Sequence, residues 1–175
     1  MRQFAYRTAA VLALISAGQA QAATASNCIT RPEMQGLVAY FLPPVLGSAI
    51  TSCGATLPAQ SYLITKGPAL VDQLATGKDA AWPAAKTAFI KMSGKGKDSG
   101  LLERLPDEAL RPLIEGIIET ELLPSIKPGT CEDIDRVAAT LEPLPAANTV
   151  SVVAELLNIA ARKDGKFASC PVQRG

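Results

Sequence analysis

The chain is 175 residues long and near-neutral, with 17 basic residues against 16 acidic ones; it has four cysteines and no histidine. Without histidine it lacks the side chain most used for proton transfer near neutral pH and for mixed zinc sites. With no basic excess, it also lacks the electrostatic footprint of a nucleic-acid binder.

The first 22 residues read as a signal peptide. Arg2 and Arg7 are their only charges, Thr8 to Ala17 is a mostly apolar run too short to span a bilayer, and Ala20-Gln21-Ala22 presents small residues to a peptidase. Cleavage after Ala22, with Ala25 as second candidate, leaves about 153 residues, enough for one domain with a core. Losing Arg2 and Arg7 leaves 15 basic residues against 16 acidic, a formal charge of −1. Cys28 follows Ala25-Ser26-Asn27 and lacks the leucine of a lipidation site, and none of Asn27, Asn148 and Asn158 has Ser or Thr two residues on. These features point to a periplasmic or secreted protein.

Cys28, Cys53, Cys131 and Cys170 are too widely spaced for a CxxC redox motif or a zinc knuckle. Outside the cytoplasm two structural disulfides are expected, and no metal or other cofactor is implied. Four cysteines allow three pairings; Cys28–Cys53 with Cys131–Cys170 is the one that staples each half of the chain separately.

Taken in chain order, the pattern is helical throughout. Thr30-Arg31-Pro32-Glu33 is a capping-box sequence, and Met34, Leu37, Val38 and Phe41 follow at helical spacing. Pro43-Pro44 is expected to break this helix, with a second one running from Val45 to Cys53 and stopping at Gly54. A third is expected from Pro58 to Gly67, a fourth from Pro68 to Gly77, and a fifth over Ala80 to Met92. Ser93 to Gly100 holds only glycine, serine, lysine and aspartate; it reads as a surface linker, since its spacing is not that of a phosphate-binding loop.

The second half carries a faint repeat at an offset of 39 residues: Leu102-Glu103-Arg104-Leu105-Pro106 matches Leu141-Glu142-Pro143-Leu144-Pro145, and Cys131 falls on Cys170. Asp107 and Glu108 open one helix and Thr130-Cys131-Glu132-Asp133 another. A third is capped at Asn148, ends at Gly165, and is expected to bury Val153, Leu156, Leu157 and Ala160. The reading is therefore all-α, a compact bundle of seven to nine short helices without a sheet. It forms one domain over 23–175, divided into subdomains 28–92 and 101–170 by the linker 93–100.

Few residue sets suggest chemistry. Glu115, Glu119 and Glu121 with Glu132, Asp133 and Asp135 form an acidic group, but Asp133-x-Asp135 lacks the glycine and distal glutamate of a calcium loop. Ser61 with Lys66, or Ser93 with Lys95, lacks S-x-x-K spacing. The distinctive feature is a 32-residue stretch, Met34 to Thr65, with no charged side chain. Leu37, Tyr40, Phe41, Leu46 and Ile50 from this stretch are the candidate binding surface. The expectation is a non-catalytic protein that binds a protein partner or an amphiphilic, lipid-like ligand, with a small carboxylate-dependent hydrolase as the alternative. No transmembrane segment is expected in the mature chain, because Pro43-Pro44 and Gly54 divide the apolar stretch.

Overall fold

A computed structural model describes residues 28–93, 99–121, 126–164 and 168–171. The expected signal segment, residues 1–22, and positions 94–98 of the expected linker lie outside the described residues. Among the described residues eight helices follow one another: α1 Arg31–Cys53, α2 Tyr62–Thr65, α3 Gly67–Ala75, α4 Lys78–Met92, α5 Ser99–Arg104, α6 Asp107–Glu121, α7 Cys131–Leu141 and α8 Ala146–Asp164. A 3-10 turn, Pro128–Thr130, leads into α7. The described residues contain no strand or sheet beyond one parallel bridge between Ile29 and Ser169.

The centre is α1, packed chiefly against α3, α4 and α8. The capping box is formed as expected: the Glu33 amide donates to Thr30 Oγ1 (3.4 Å) and the Thr30 amide donates to Glu33 Oε2 (2.8 Å). The expected break at Pro43-Pro44 does not occur, and α1 continues for 23 residues. Each proline removes one i→i−4 hydrogen bond and ordinarily costs about 3 kcal/mol inside a helix. Against that cost, α1 supplies Met34 and Val38, Tyr40 and Phe41, and Leu46, Ala49 and Cys53 to three separate core clusters. A bend between Phe41 and Leu46 would pull one of these groups out of its cluster.

The unbroken helix also decides the disulfides. Twenty-three residues at 1.5 Å each place Cys28 and Cys53 at opposite ends of a rod about 35 Å long. The expected pairing is therefore replaced by Cys28–Cys170 and Cys53–Cys131, with Cα atoms 5.0 and 5.5 Å apart. Each bridge joins the first half of the chain to the second, so neither half is stapled by itself. At the Cys28 end the Ile29 amide donates to the Ala168 carbonyl (2.7 Å), and the Cys170 amide donates to the Ile29 carbonyl (2.9 Å). Lys91 completes this end, donating to both Glu33 carboxylate oxygens (2.7 and 2.8 Å) and to the Cys28 carbonyl (3.0 Å). Burial pushes the Glu33 carboxyl up, but the hydrogen bonds from Lys91 and Thr30 outweigh it and hold the group below the usual range.

Other boundaries shift in smaller ways. Pro58 sits in a turn, α2 is a single turn, and Gly67 begins α3 rather than ending a helix. A Cβ at Gly67 would lie 3.0 Å from Ile50 Cδ1, so the Ile50 side chain of α1 packs closely over this position. Ser99 and Gly100 belong to α5 rather than to a linker. The repeat has a structural counterpart over one turn. Pro106 accepts from the Ala109 and Leu110 amides, and Pro145 from the Asn148 and Thr149 amides, the same two bonds 39 residues apart. The likeness does not reach the cysteines: Cys131 opens a helix and Cys170 lies in an extended segment.

Two disulfides and an apolar N-terminal helix accord with a location outside the cytoplasm. Uninterrupted by its prolines, α1 is long and apolar enough to cross a membrane by length and composition, with a mean hydropathy of 1.4 over 18 residues. The division of the stretch expected from Pro43-Pro44 is thus absent. In the fold, α1 is instead the helix around which the others assemble.

Candidate functional site

None of the five candidate residues is solvent-exposed, and they do not form one outer face. Tyr40 is buried against Trp82 and Phe41, while Ile50 packs beside Leu63 and Gly67. Leu37 and Phe41 turn toward an open cleft of about 480 Å³, lined also by Val38, Leu42, Val45, Phe89, Met92, Ile117, Val153 and Leu157. Leu46 lines a second cleft, of about 440 Å³, with Ala49, Leu70, Leu74, Ile126, Ile134, Val137 and Leu141. The two meet along α1, sharing Leu42, Val45 and Val153 as a common wall. Each lies within the roughly 300–1,000 Å³ span of small-molecule sites.

What opens these clefts is the orientation of α8. The helix buries Thr149, Ala154, Asn158 and Ala161; of the expected set Val153 is half-buried against the core, while Leu156, Leu157 and Ala160 are exposed. Small side chains let α8 approach the body, and Asn158 is held inside by the Ser169 hydroxyl, which donates to its Oδ1 (3.0 Å). The larger apolar side chains are left facing outward. Leu156 is 60% exposed and Leu157 44%, and Leu157 stands in the wall of the first cleft. The same holds for α6, which buries Leu110 and Ile114 and leaves Leu113 and Ile117 exposed. Ile117 and Met92, both exposed, line the same cleft as Leu157. Sequence reasoning missed Val45, Phe89, Met92, Ile117, Val153 and Leu157 as lining residues. The apolar excess of α6 and α8 was visible, but a helical pattern does not say which part of an apolar face is covered.

The polar groups divide between structural duties. Glu115 accepts from the Tyr40 hydroxyl (2.9 Å) and from Lys78 (2.8 Å), tying α6 to α1 and α4. The Lys78 ammonium holds the Glu115 carboxyl below its usual range. Burial, followed by the hydrogen bond to Glu115, pushes the Tyr40 phenol up to about 12. Lys86 pairs with Asp107 at 2.7 Å and Arg111 with Asp79 at 2.8 Å, and the Arg111 guanidinium lies 4.8 Å from the Trp82 ring centre. The Lys86 ammonium lowers the Asp107 carboxyl first. The Trp82 indole makes no hydrogen bond of regular geometry, yet lies near enough to Asp107 to add to that lowering.

The acidic group expected from sequence is dispersed. Asp135 accepts from the Leu63 amide (2.6 Å), Asp133 pairs with Arg136 (3.4 Å), and Glu132 is exposed; the side chains of Glu119 and Glu121 lie outside those described. Among the described residues no three His, Cys, Asp or Glu side chains converge as metal ligands. Lys66 is engaged by Glu142 (2.6 Å), not by Ser61, and Lys95 lies outside the described residues. Chemically, the most distinct concave features are the paired apolar clefts. Comparison with protein-family models, with characterised proteins and with solved structures finds no match to this chain.

Proposed function

We propose that the protein is a non-catalytic, exported binder of an apolar or amphiphilic ligand, which lies in the groove formed by the two clefts along α1. The observation that carries this reading is the outward apolar side of α8. A helix that packs through Ala154, Asn158 and Ala161 while presenting Val153 and Leu157 to an open cleft leaves apolar surface uncovered. Each methylene a ligand buries there contributes about 0.8 kcal/mol, so affinity should rise roughly four-fold per added carbon until the groove is full. A flat protein interface suits the concave lining less well than a flexible chain does. The carboxylate-hydrolase alternative has no comparable support, since Glu115 and Asp135 are each committed to holding helices together.

The test is titration of the folded protein with the neutral fluorescent probe N-phenyl-1-naphthylamine, alone and in competition with alkyl chains of increasing length. Saturable binding is expected, and it should be lost in Leu157→Asp while the thermal midpoint stays close to that of the parent. Leu157 stands half in solvent, so placing a charge there costs the fold little while spoiling the cleft. No saturable binding, or equal binding by Leu157→Asp, would refute the proposal.

A further inference from the structure

The side of α8 turned away from the body is apolar, where a surface helix is ordinarily polar. At 3.6 residues per turn, Val152, Leu156 and Ile159 fall within about 60° of one another, roughly opposite the buried Ala154 and Ala161. They are 41%, 60% and 40% exposed. None of the three is among the described lining residues of the two clefts, so the stripe is a surface separate from the groove. Lys163 continues it by one turn. Glu155 and Arg162 border it on one side, Val153 and Ala160 on the other.

We infer that a second copy of this chain covers the stripe, the two α8 helices lying antiparallel across a two-fold axis. Apolar contact fixes the register: Leu156 packs on the partner's Ile159, and Val152 lies under the aliphatic stem of the partner's Lys163, whose ammonium stays in water. That register sets Glu155 opposite the partner's Arg162 and, by symmetry, Arg162 opposite the partner's Glu155. A parallel pair would set Glu155 against Ala160 and form no such ion pair. Within one chain Glu155 stands 3.7 Å from Arg31 and 4.0 Å from Arg162, beyond hydrogen-bond range, so the exchange breaks no hydrogen bond. A lipid surface fits less well, because a carboxylate borders the stripe and the chain has no basic excess to hold anionic lipid. Three apolar side chains per copy make a small interface, below about 1,200 Å² in total, so the dimer is weak and reversible.

The experiment is sedimentation velocity of the disulfide-bonded protein from about 1 to 500 µM, the range in which weak dimers form. The sedimentation coefficient is expected to rise with concentration from that of a monomer toward that of a dimer. Leu156→Asp should stay monomeric throughout, with a thermal midpoint close to the parent's, because the side chain it replaces stands mostly in solvent. Glu155→Arg should weaken association roughly ten-fold, since symmetry makes the repulsion twice, and adding Arg162→Glu should recover most of the loss. A parent that is monomeric at every concentration, whether or not it floats with phosphatidylcholine vesicles, would overturn the proposal. A dimer that survives Leu156→Asp would overturn it too, by placing the interface elsewhere. Loss in Glu155→Arg without recovery in the double variant would overturn the antiparallel register.

Discussion

Gly36 sets how closely α1 and α4 approach, and Gly36→Ala tests whether the central packing is as tight as described. A Cβ at this buried position would overlap the Ala84 Cβ and lie 3.1 Å from the Ala85 nitrogen and 3.2 Å from the Ala84 carbonyl carbon. These are backbone atoms and a side chain with no rotamer to change, so relief requires the helices to part. Ordinary carbon contacts settle at about 3.5–4.0 Å, so the separation needed is on the order of 1 Å, enough to forfeit a quarter to a half of each neighbouring contact. Overpacking of this kind costs about 1–3 kcal/mol. The helix propensity gained in replacing glycine offsets up to about 1 kcal/mol of it. A net loss near 1–2 kcal/mol should lower the thermal midpoint by about 2–8 °C for a chain of this size. Thermal and urea unfolding followed by circular dichroism would measure it, and Ala84→Gly added to Gly36→Ala should recover part of the loss. If Gly36→Ala is as stable as the parent or more so, the close crossing of α1 and α4 is wrong.

Two further outcomes follow from the same structure. Non-reducing peptide mapping should yield Cys28–Cys170 and Cys53–Cys131, which close loops spanning 142 and 78 residues; on loop entropy these stabilise by about 5 and 4.5 kcal/mol. A Cys28–Cys53 peptide would contradict the continuous helix as well as the pairing. Glu33, Asp107 and Glu115 are all held below their ordinary values of 4.5, 3.8 and 4.5, so their contribution is fully present above those values. It is lost as pH falls through the lower folded values, because the unfolded chain then binds more protons. The thermal midpoint should therefore be nearly flat between about pH 5 and 7 and fall below about pH 4.5, less steeply in Glu115→Gln. A midpoint unchanged down to pH 3 would count against these ion pairs.

Sequence alone determined the all-α class, the capping box at Thr30, the approximate positions of most helices and the presence of two disulfides. These depend on local periodicity, on the hydrogen-bonding habits of single residues, and on cysteine count in an oxidising compartment. It also singled out the uncharged stretch that supplies most of α1 together with α2. Only the tertiary structure decided three things. Pro43-Pro44 did not break α1, because the burial of Tyr40 and Phe41 on one side and Leu46 and Ala49 on the other is a non-local gain that no proline rule contains. The cysteine partners followed from that continuity, since an unbroken helix separates Cys28 from Cys53 and each pairs with a residue of the other half. The binding face moved as well. A helical apolar stripe reports that a face is wide enough to bury, and the partner decides which part is buried. In α8 Ala154 and Ala161 went inward and Leu157 was left along the cleft, because small residues permit the closer approach to α1.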